Sequence, residues 1–403
     1  MIMRPLAPLS SLALIAQLAG CGSGGSSAPA AALADSPFTL PSGFFYSTIA
    51  AVPAARELAA LPNGDLLAGT TSARIYIVPN AESAGAAGVP HVFITLPAHD
   101  GPANGVAIAP DARAIYAATE YHVYRIPYHR GDQSEPSTSA QAIAAIRTGG
   151  IAPHSDGDVH ITSSVASGGS TVYAGVGSSC NACTESGPTR ATIQAMSLSG
   201  ANMHTLATRI RNPIALAVNP SSGVLWTGDA GQDNLPYGHP YEFVDAVTLQ
   251  AGTPVDYGWP QCEEDRRAYT SGANCARVAI PRVEFPAYTT HIGAVFYPTN
   301  SSGTYVFPAQ YGGGLFVTSH GSWHCCPAAP PGVDFVPLHG DTPRVPVDWR
   351  NPNAQWQRFM GGFGTPSKTS YRGRPTGITV GSQGSLFVAD DQNGAIYRIR
   401  PRR

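Results

Sequence analysis

Five residues that could bind an anionic ligand or move a proton stand at equivalent points of a repeated sequence pattern. They are His160, Arg211, Asn212, Arg372 and Arg374, and each lies shortly before a segment typical of a β-strand. Guanidinium groups bind carboxylates through paired hydrogen bonds, so three arginines without acids at matching positions favour a ligand with several carboxylates. The single histidine among them could accept a proton at neutral pH. The alternative is structural, with each arginine paired to an aspartate of a neighbouring repeat and His160 part of the core.

The elements that must position these residues form a repeat. A short strand, a turn rich in Pro, Asn, Asp, Gly and Ser, and a second strand recur at 61–69, 109–118, 167–175, 219–228, 307–318 and 381–390. A third strand of alternating pattern often follows, at 74–78, 123–126, 193–198, 241–244, 333–338 and 395–400. A period of about 40 to 50 residues is typical of propeller blades. The sequence therefore predicts an all-β fold, a six-bladed β-propeller of four-stranded antiparallel blades, in which equivalent positions converge at one end of the central channel.

The first 21 residues resemble a bacterial export signal. Their apolar run is too short and too close to the N-terminus for a spanning helix, and it ends in Leu18-Ala19-Gly20-Cys21. This ending is similar to a lipobox, which predicts a lipoprotein of the bacterial cell envelope, periplasmic or in the outer membrane, anchored at Cys21. An ordinary cleaved signal peptide is the alternative. Residues 22–36 are predicted to be a flexible tether, and residues 37–403 a single propeller domain.

The composition excludes several classes of partner. Charged residues make up 12% of the chain and the formal net charge is -2, so the chain has no basic field for nucleic acid or an anionic membrane surface. Membrane contact is therefore expected only through the lipid anchor. The 44 glycines and 36 prolines, with apolar strands between them, are typical of a turn-rich β protein. We expect a monomer or a loose homodimer.

Six cysteines remain when Cys21 is set aside, and an even number in an exported chain favours disulfides. Local closure of Cys262 with Cys275 is expected, while the pairing of the other four stays open. The Cys180–Cys183 pair is followed by Thr184 rather than His, so the spacing does not indicate covalent haem. A zinc cluster built with His324, Cys325 and Cys326 is an alternative use of the vicinal pair.

Taken in order, the motifs resemble those of the glucose/sorbosone dehydrogenase family, soluble six-bladed quinoproteins that use pyrroloquinoline quinone (PQQ). The resemblance covers roughly residues 40 to 400. It rests on Arg211-Asn212-Pro213, the loop from Gly228 to Gln232, Tyr257-Gly258-Trp259-Pro260, His320-Gly321-Ser322-Trp323, Arg372-Gly373-Arg374 and Gly384-Ser385-Leu386-Phe387-Val388. The run Gly177-Ser178-Ser179-Cys180-Asn181 is similar to the sorbosone dehydrogenase branch.

The resemblance implies a PQQ-dependent oxidoreductase that oxidises an aldose or a sorbosone-like sugar at C1. His160 would be the general base that removes the hydroxyl proton while hydride leaves the same carbon for the quinone. Arg211 and Asn212 would contact the cofactor, and Arg372 and Arg374 would clamp its carboxylates. Because the chain has no haem motif, electrons would leave to a separate acceptor.

The resemblance also implies calcium. In the family this ion activates the quinone, partly through backbone carbonyls of the loop that matches Gly231 and Gln232. A hard cation prefers oxygen ligands and stabilises, as a Lewis acid, the charge that arrives on the quinone. Glu242 would support a second, structural calcium.

The chain departs from the family pattern near the base, where Ser163 replaces an arginine expected three residues after the histidine. His154 is a second candidate for the base. Two further hypotheses stay open because a fold alone does not decide function. One is a calcium-dependent lactone hydrolase, and the other is a non-catalytic surface propeller that binds protein or glycan through exposed loops at Tyr257 and Trp259.

Overall fold

A computed structural model describes residues 37–146, 160–249, 252–322, 328–365 and 370–402. The described residues belong to one compact unit, Pro37–Arg403. Several sequence-based predictions lie outside them: the signal segment with Cys21, the tether, His154, and the set His324, Cys325 and Cys326. No described helix is both long enough and apolar enough to cross a membrane.

The described chain is almost entirely β-structure, in six sheets that each contain four antiparallel strands. Neighbouring innermost strands contact one another in a closed ring, which confirms the predicted six-bladed propeller. Innermost strand first, blade 1 consists of Ala55–Ala60, Leu66–Thr70, Arg74–Val78 and His91–Thr95. Blade 2 consists of Gly105–Ile108, Ala114–Ala118, His122–Pro127 and Gln141–Ala145. Blade 3 consists of Ser164–Gly168, Thr171–Val176, Thr192–Ser197 and His204–Thr208. Blade 4 consists of Pro213–Val218, Leu225–Asp229, Glu242–Ala246 and Val283–Phe285. Blade 5 consists of His291–Phe296, Leu315–Ser319, Gly332–Val336 and Gln357–Met360. Blade 6 consists of Pro375–Val380, Leu386–Asp390, Ala395–Pro401 and Phe44–Ala51.

Several short elements are present in addition to the four strands of each blade. A fifth strand, Val255–Asp256, runs parallel to the outer strand of blade 3. A small hairpin pairs Leu338–His339 with Thr342–Pro343 after the third strand of blade 5. The described 3-10 helices are three single turns, at Ala98–Asp100, Ser137–Ser139 and Ala309–Tyr311.

The strand Phe44–Ala51 closes the ring. It is the first strand of the described chain and pairs antiparallel with Ala395–Pro401, the last described strand, so blade 6 combines both ends of the domain. This pairing gives blade 6 its fourth, outermost strand and links the two ends of the domain.

Four inner strands begin with a register irregularity at the same end of the propeller. The pairing shifts between Ala55 and Leu58 in blade 1, and corresponding shifts occur between Pro213/Ala215, His291/Ala294 and Pro375/Ile378 in blades 4, 5 and 6. A β-bulge bends a strand locally and re-aims its side chains. The irregular starts therefore set the direction of residues at this end, where the candidate site lies.

A channel of about 360 Å³ runs between the inner strands. Its described lining is apolar apart from a few hydroxyls and Glu57, the one ionisable residue among the described lining residues. Buried apolar side chains fill the spaces between blades, as where Trp226 of blade 4 packs edge-on against Phe296 of blade 5. The packed blades hold the strand ends rigidly, and a rigid scaffold is what a precise site needs.

Candidate functional site

The starts of the inner strands converge at one end of the channel. Asn104 directly precedes the inner strand of blade 2, and its Oδ1 accepts a hydrogen bond of 3.0 Å from Nε of Arg56 in blade 1. Its Nδ2 donates to the carbonyl oxygen of Ser163, just before blade 3, at 3.2 Å. Asn212 and Arg374 directly precede the inner strands of blades 4 and 6. The equivalent positions therefore lie around one opening, as the repeat predicts.

His160 lies four positions before the inner strand of blade 3, and its ring is held by Ser178. Its Nδ1 lies 2.9 Å from the Ser178 hydroxyl oxygen and 3.2 Å from the Ser178 carbonyl oxygen. Because a carbonyl oxygen only accepts hydrogen bonds, we assign the proton of the neutral ring to Nδ1 and the lone pair to Nε2.

The surroundings of His160 keep it neutral. Burial lowers the pKa of His160 well below its ordinary value of 6.5, and the positive charges of Arg211 and Arg190 lower it further. Desolvation and like charge both disfavour the imidazolium. At neutral pH the ring is therefore a base whose acceptor atom is Nε2.

Arg190 is a site residue that sequence reasoning missed. It is buried, and its Nη1 donates to the carbonyl oxygens of His160 at 2.9 Å and Gly177 at 3.1 Å. Its Nε and Nη2 make no hydrogen bond to a described residue, and Glu120 Oε1 lies 3.9 Å from Nη2. A guanidinium thus stands beside the histidine although position 163 is a serine. No periodic signal marks Arg190, since it lies just before the third strand of its blade.

Arg211 is surrounded by acceptors of the protein itself. Its guanidinium donates to the Asn181 carbonyl oxygen (3.2 Å), to the Asn181 side-chain oxygen (3.0 Å), to the Ala230 carbonyl oxygen (3.1 Å) and to Asp233 Oδ2 (3.2 Å). The structural alternative, an aspartate partner, therefore describes Arg211 in part, although Asp233 belongs to the same blade. Its contact with a cofactor stays a prediction.

Asn212 sits against His160 across a glycine. A Cβ placed on Gly177 would lie 2.4 Å from the His160 Cβ and 2.5 Å from the Asn212 side-chain oxygen. Only glycine allows this approach. The backbone N–H of Asn212 donates to Asp229 at 2.7 Å, while its side-chain amide makes no hydrogen bond to a described residue. Burial raises the pKa of Asp229 to about 6.

Glu242 braces the loop that carries Gly231. It is buried, and its Oε1 accepts from the Gly231 N–H at 3.2 Å. Its Oε2 accepts from the backbone N–H of Thr290 and from the Thr289 hydroxyl (3.0 Å), which joins blade 4 to the start of blade 5. Burial, reinforced by the nearby charge of Asp229, raises the pKa of Glu242 to about 8.

A second charged cluster links blades 1, 5 and 6. Asp391 lies 2.7 Å from Nη1 of Arg56 and 3.0 Å from Nε2 of His320. Arg374 donates through Nε to the His320 carbonyl oxygen at 2.9 Å and through Nη2 to that of Gly321 at 2.7 Å. Of these residues, Arg56 and Asp391 carried no signal in the sequence, because 335 positions separate them.

The charge states within this cluster are set by burial and pairing. Burial would raise the pKa of Asp391, but the hydrogen bond from His320 and the charge of Arg56 outweigh it and lower that pKa to about 2. Burial lowers the pKa of His320 to about 4. At neutral pH, therefore, neutral His320 donates through Nε2 to an ionised Asp391.

The two arginines around Gly373 differ in their surroundings. The sequence pattern places both on one side of an extended segment, yet Arg374 is partly buried whereas Arg372 is exposed and makes no side-chain hydrogen bond or ion pair to a described residue. The Arg374 guanidinium donates to the carbonyl oxygens after the second strand of blade 5, whereas near Arg372 it is the backbone carbonyl oxygen that accepts, from Asn393 Nδ2 at 2.7 Å.

The cysteines and aromatic turns also have defined places. Cys262 and Cys275 form a disulfide, as predicted, and Cys180 bonds to Cys183. The two bonded sulfurs lie near the Glu185 carboxylate, but a disulfide offers no thiolate to a metal. Tyr257 and Trp259 were expected in exposed loops; they are instead buried, with Tyr257 stacked on Phe243 and Trp259 packed with Cys180 and Ala191.

Residues 237–402 match the model of the TrAA12-like family. This TrAA12-like segment includes Glu242, His320, Arg372 and Arg374, and it begins after His160, Arg211 and Asn212. An uncharacterized protein of Borreliella burgdorferi is 26% identical over 213 residues, which is 52% of this chain and about half (52%) of that relative's length.

Solved structures with the same fold cover far more of the chain than the TrAA12-like segment does. The calcium structure of a Trichoderma reesei enzyme of carbohydrate-active family AA12 is 18% identical, covers 91% of this chain and 97% of its own, and has a TM-score of 0.74. The holo PQQ domain of a pyranose dehydrogenase from Coprinopsis cinerea is 16% identical, with coverages of 90% and 97% and a TM-score of 0.69. The soluble aldose sugar dehydrogenase of Escherichia coli is 16% identical, with coverages of 89% and 100% and a TM-score of 0.55. The structural neighbours thus include sugar dehydrogenases that share this fold, and the resemblance drawn from the motifs is confirmed as a likeness of fold.

The donors at the opening fit a polycarboxylate such as PQQ. The side-chain amide of Asn212, the guanidinium of Arg372 and Nη1 of Arg374 make no hydrogen bond to a described residue. They can therefore donate to a ligand without breaking a contact that the fold already uses.

The loop at 230–233 fits a hard cation. The carbonyl oxygens of Gly231 and Gln232 accept no hydrogen bond from described residues. On either side, the carbonyl oxygens of Ala230 and Asp233 accept from Arg211 and from Asn181, both at 3.1 Å. Two backbone oxygens remain for an ion that prefers oxygen ligands.

Proposed function

We propose that this protein is a PQQ-dependent oxidoreductase that oxidises an aldose or a sorbosone-like sugar at C1. The observation that carries the proposal is His160, a partly buried neutral histidine with a fixed tautomer, placed among guanidinium groups at the opening of a six-bladed propeller. The sugar-oxidising propellers among its structural neighbours support the same class of reaction.

In this proposal His160 removes the proton of the sugar hydroxyl through Nε2. Ser178 holds the opposite ring nitrogen, so the ring cannot present the wrong tautomer. Desolvation, reinforced by the positive charges of Arg211 and Arg190, keeps the ring unprotonated before the reaction, which leaves it ready to accept a proton. Bound PQQ would supply the hydride acceptor, and calcium would supply the Lewis acid that polarises it.

Different groups of residues would bind the cofactor and the calcium ion. Arg372 and Arg374 would clamp the cofactor carboxylates, and Arg211 and Asn212 would also contact the cofactor. The carbonyls of Gly231 and Gln232 would hold calcium, while Glu242 braces their loop and would support a structural calcium. The protein's contribution is orientation and electrostatics, since the cofactor carries the redox chemistry.

A reconstitution titration tests the proposal. The protein without residues 1–21 is mixed with calcium and increasing PQQ, and dye reduction is followed with a panel of aldoses and sorbosone. Saturable, sugar-dependent reduction at near-stoichiometric PQQ is expected. If PQQ does not bind at all, the arginines serve the fold, and the proposal fails in favour of the lactone hydrolase or the non-catalytic propeller.

We also propose that the protein acts in the bacterial cell envelope, anchored by a lipid at Cys21, and passes electrons to a separate acceptor. Two disulfides among the described residues support an oxidising compartment. Labelling of the wild type with a radioactive fatty acid, and its loss in Cys21→Ser, is the expected result. Equal labelling of both, or none of either, would contradict the anchor.

A further inference from the structure

Asn181 joins three separate segments around the site. Its side-chain oxygen accepts from Arg211 Nη2 at 3.0 Å and from the Asp233 N–H at 2.8 Å, and its Nδ2 donates to the Asp233 carbonyl oxygen at 3.1 Å. Its own carbonyl oxygen accepts from Arg211 Nε at 3.2 Å and from Trp259 Nε1 at 3.0 Å. Asn181 thus contacts Asp233, at one end of the loop 230–233, directly, and reaches Ala230, at the other end, through Arg211. The two carbonyl oxygens proposed to bind calcium lie between these ends.

The loop that carries Asn181 has no strand or helix of its own. It is closed by the disulfide between Cys180 and Cys183 instead. Cys180 is fully buried and packs with Trp259 and Ala191. A cross-link over three positions removes backbone freedom that would otherwise have to be lost when Asn181 docks.

The same loop reaches the candidate base. The Ser178 hydroxyl donates to the Cys180 carbonyl oxygen at 2.7 Å and stands 2.9 Å from His160 Nδ1. The Ser178 N–H donates to the Arg211 carbonyl oxygen at 2.8 Å. The disulfide loop is therefore continuous, by hydrogen bonds, with the base on one side and the cation loop on the other.

We infer that Asn181, held by the Cys180–Cys183 disulfide, is a positioning residue that sets the loop 230–233 and the guanidinium of Arg211. This inference concerns the same site and rests on the proposed function for its catalytic meaning. An amide is needed because one side chain must both accept from and donate to Asp233. Asn181→Ala removes the three side-chain hydrogen bonds described above and leaves the two that the backbone carbonyl oxygen accepts.

Hydrogen exchange tests the positioning role without any ligand. The folded protein without residues 1–21 is compared with Asn181→Ala and with the double variant Cys180→Ser/Cys183→Ser. Exchange across 230–233 is expected to become about 10-fold faster in both, because the Asp233 N–H loses its acceptor or its acceptor becomes mobile. The double variant Cys262→Ser/Cys275→Ser is the matched control, which loses a disulfide but keeps the Asn181 contacts.

Calcium and PQQ affinity provide the second readout. Residues that orient metal ligands typically change affinity by about 10- to 100-fold when they are replaced, so this loss of calcium affinity is expected in both test variants and not in the control. Unchanged exchange and unchanged affinity in both test variants would overturn the inference. If the unaltered protein binds neither ligand while exchange still rises in both variants, the positioning role stands and the proposed function fails.

Discussion

The Nδ1 atom of His160 lies 2.9 Å from the Oγ atom of Ser178. The hydroxyl of Ser178 in turn donates to the carbonyl oxygen of Cys180, so the ring is fixed through the loop after the second strand of blade 3. A general base must present one lone pair in one direction. This contact therefore makes His160 the first residue to test.

Replacement of the base should separate catalysis from binding. His160→Ala is expected to lower sugar-dependent dye reduction by about 100-fold or more while PQQ affinity stays largely intact, the usual scale for a positioned base. His204→Ala is the control, since His204 is exposed on an outer strand. Turnover like that of the wild type would move the role to His154 or another residue.

The pH profile reports the charges around His160. Because the pKa of His160 lies well below 6.5, kcat/KM should stay level on acidification past pH 6.5 and fall only at lower pH. Arg190→Met removes a positive neighbour, so protonation becomes easier and the acid limb should move to higher pH. Arg113→Met, at an exposed arginine, should leave the profile unchanged. An acid limb that does not move in Arg190→Met would contradict this electrostatic role.

The two arginines around Gly373 form a matched pair for cofactor binding. Arg374→Ala should weaken PQQ binding by about 10- to 100-fold, because a partly buried guanidinium makes stronger charge-assisted hydrogen bonds than an exposed one. Arg372→Ala should cost less, since this side chain is exposed. Equilibrium titration of PQQ against protein fluorescence measures both. Unchanged affinity in both variants would place the carboxylate clamp elsewhere.

Calcium binding should depend on the backbone at 231 and not on the side chain at 232. A Cβ on Gly231 would lie 2.6 Å from Pro240 Cγ, so Gly231→Ala must shift the loop and should weaken calcium by about 10-fold. Gln232→Ala keeps the backbone carbonyl and should bind calcium like the wild type. Calorimetric titration after chelator treatment distinguishes the two. Equal, strong losses in both variants would assign the ligand to the Gln232 side chain.

Glu57 should make the fold less stable as pH rises. It is buried in the channel, and burial raises its pKa well above the ordinary value, although its Oε2 accepts from the N–H groups of Val106 and Val165. The unfolded chain releases this proton near pH 4.3 and the folded chain does not, so the free energy of unfolding falls with rising pH by up to about 1.4 kcal/mol per pH unit. The loss continues until the folded pKa is reached.

Glu57→Gln removes this proton linkage and can keep both hydrogen bonds. Relative to the wild type, it should gain more than about 1 kcal/mol of unfolding free energy between pH 5 and pH 7.5, measured by urea unfolding. Glu135→Gln, at a partly exposed position, serves as the comparison and should show no such gain. A wild-type curve parallel to that of Glu57→Gln would mean that the folded protein ionises Glu57 readily.

The sequence could predict the features that rest on local patterns. Alternating apolar residues and turn residues specify strands and hairpins within about ten positions. The repeat therefore marked the second and third strands of all six blades, and for Arg74–Val78 the predicted bounds equal the observed ones. The disulfide between Cys262 and Cys275 could also be predicted from the sequence, because the two cysteines are only 13 positions apart. Placement of Arg211, Asn212 and Arg374 before inner strands followed from the repeat itself.

Only the tertiary structure determined which residues from distant parts of the sequence contact one another. The N-terminal strand Phe44–Ala51 completes the last blade, and Arg56 reaches Asp391 once that closure is made. Arg190 comes to lie against His160, and Arg372 stays exposed while Arg374 is partly buried. These outcomes depend on how blades pack and where loops return, and such long-range contacts leave no period in a single sequence.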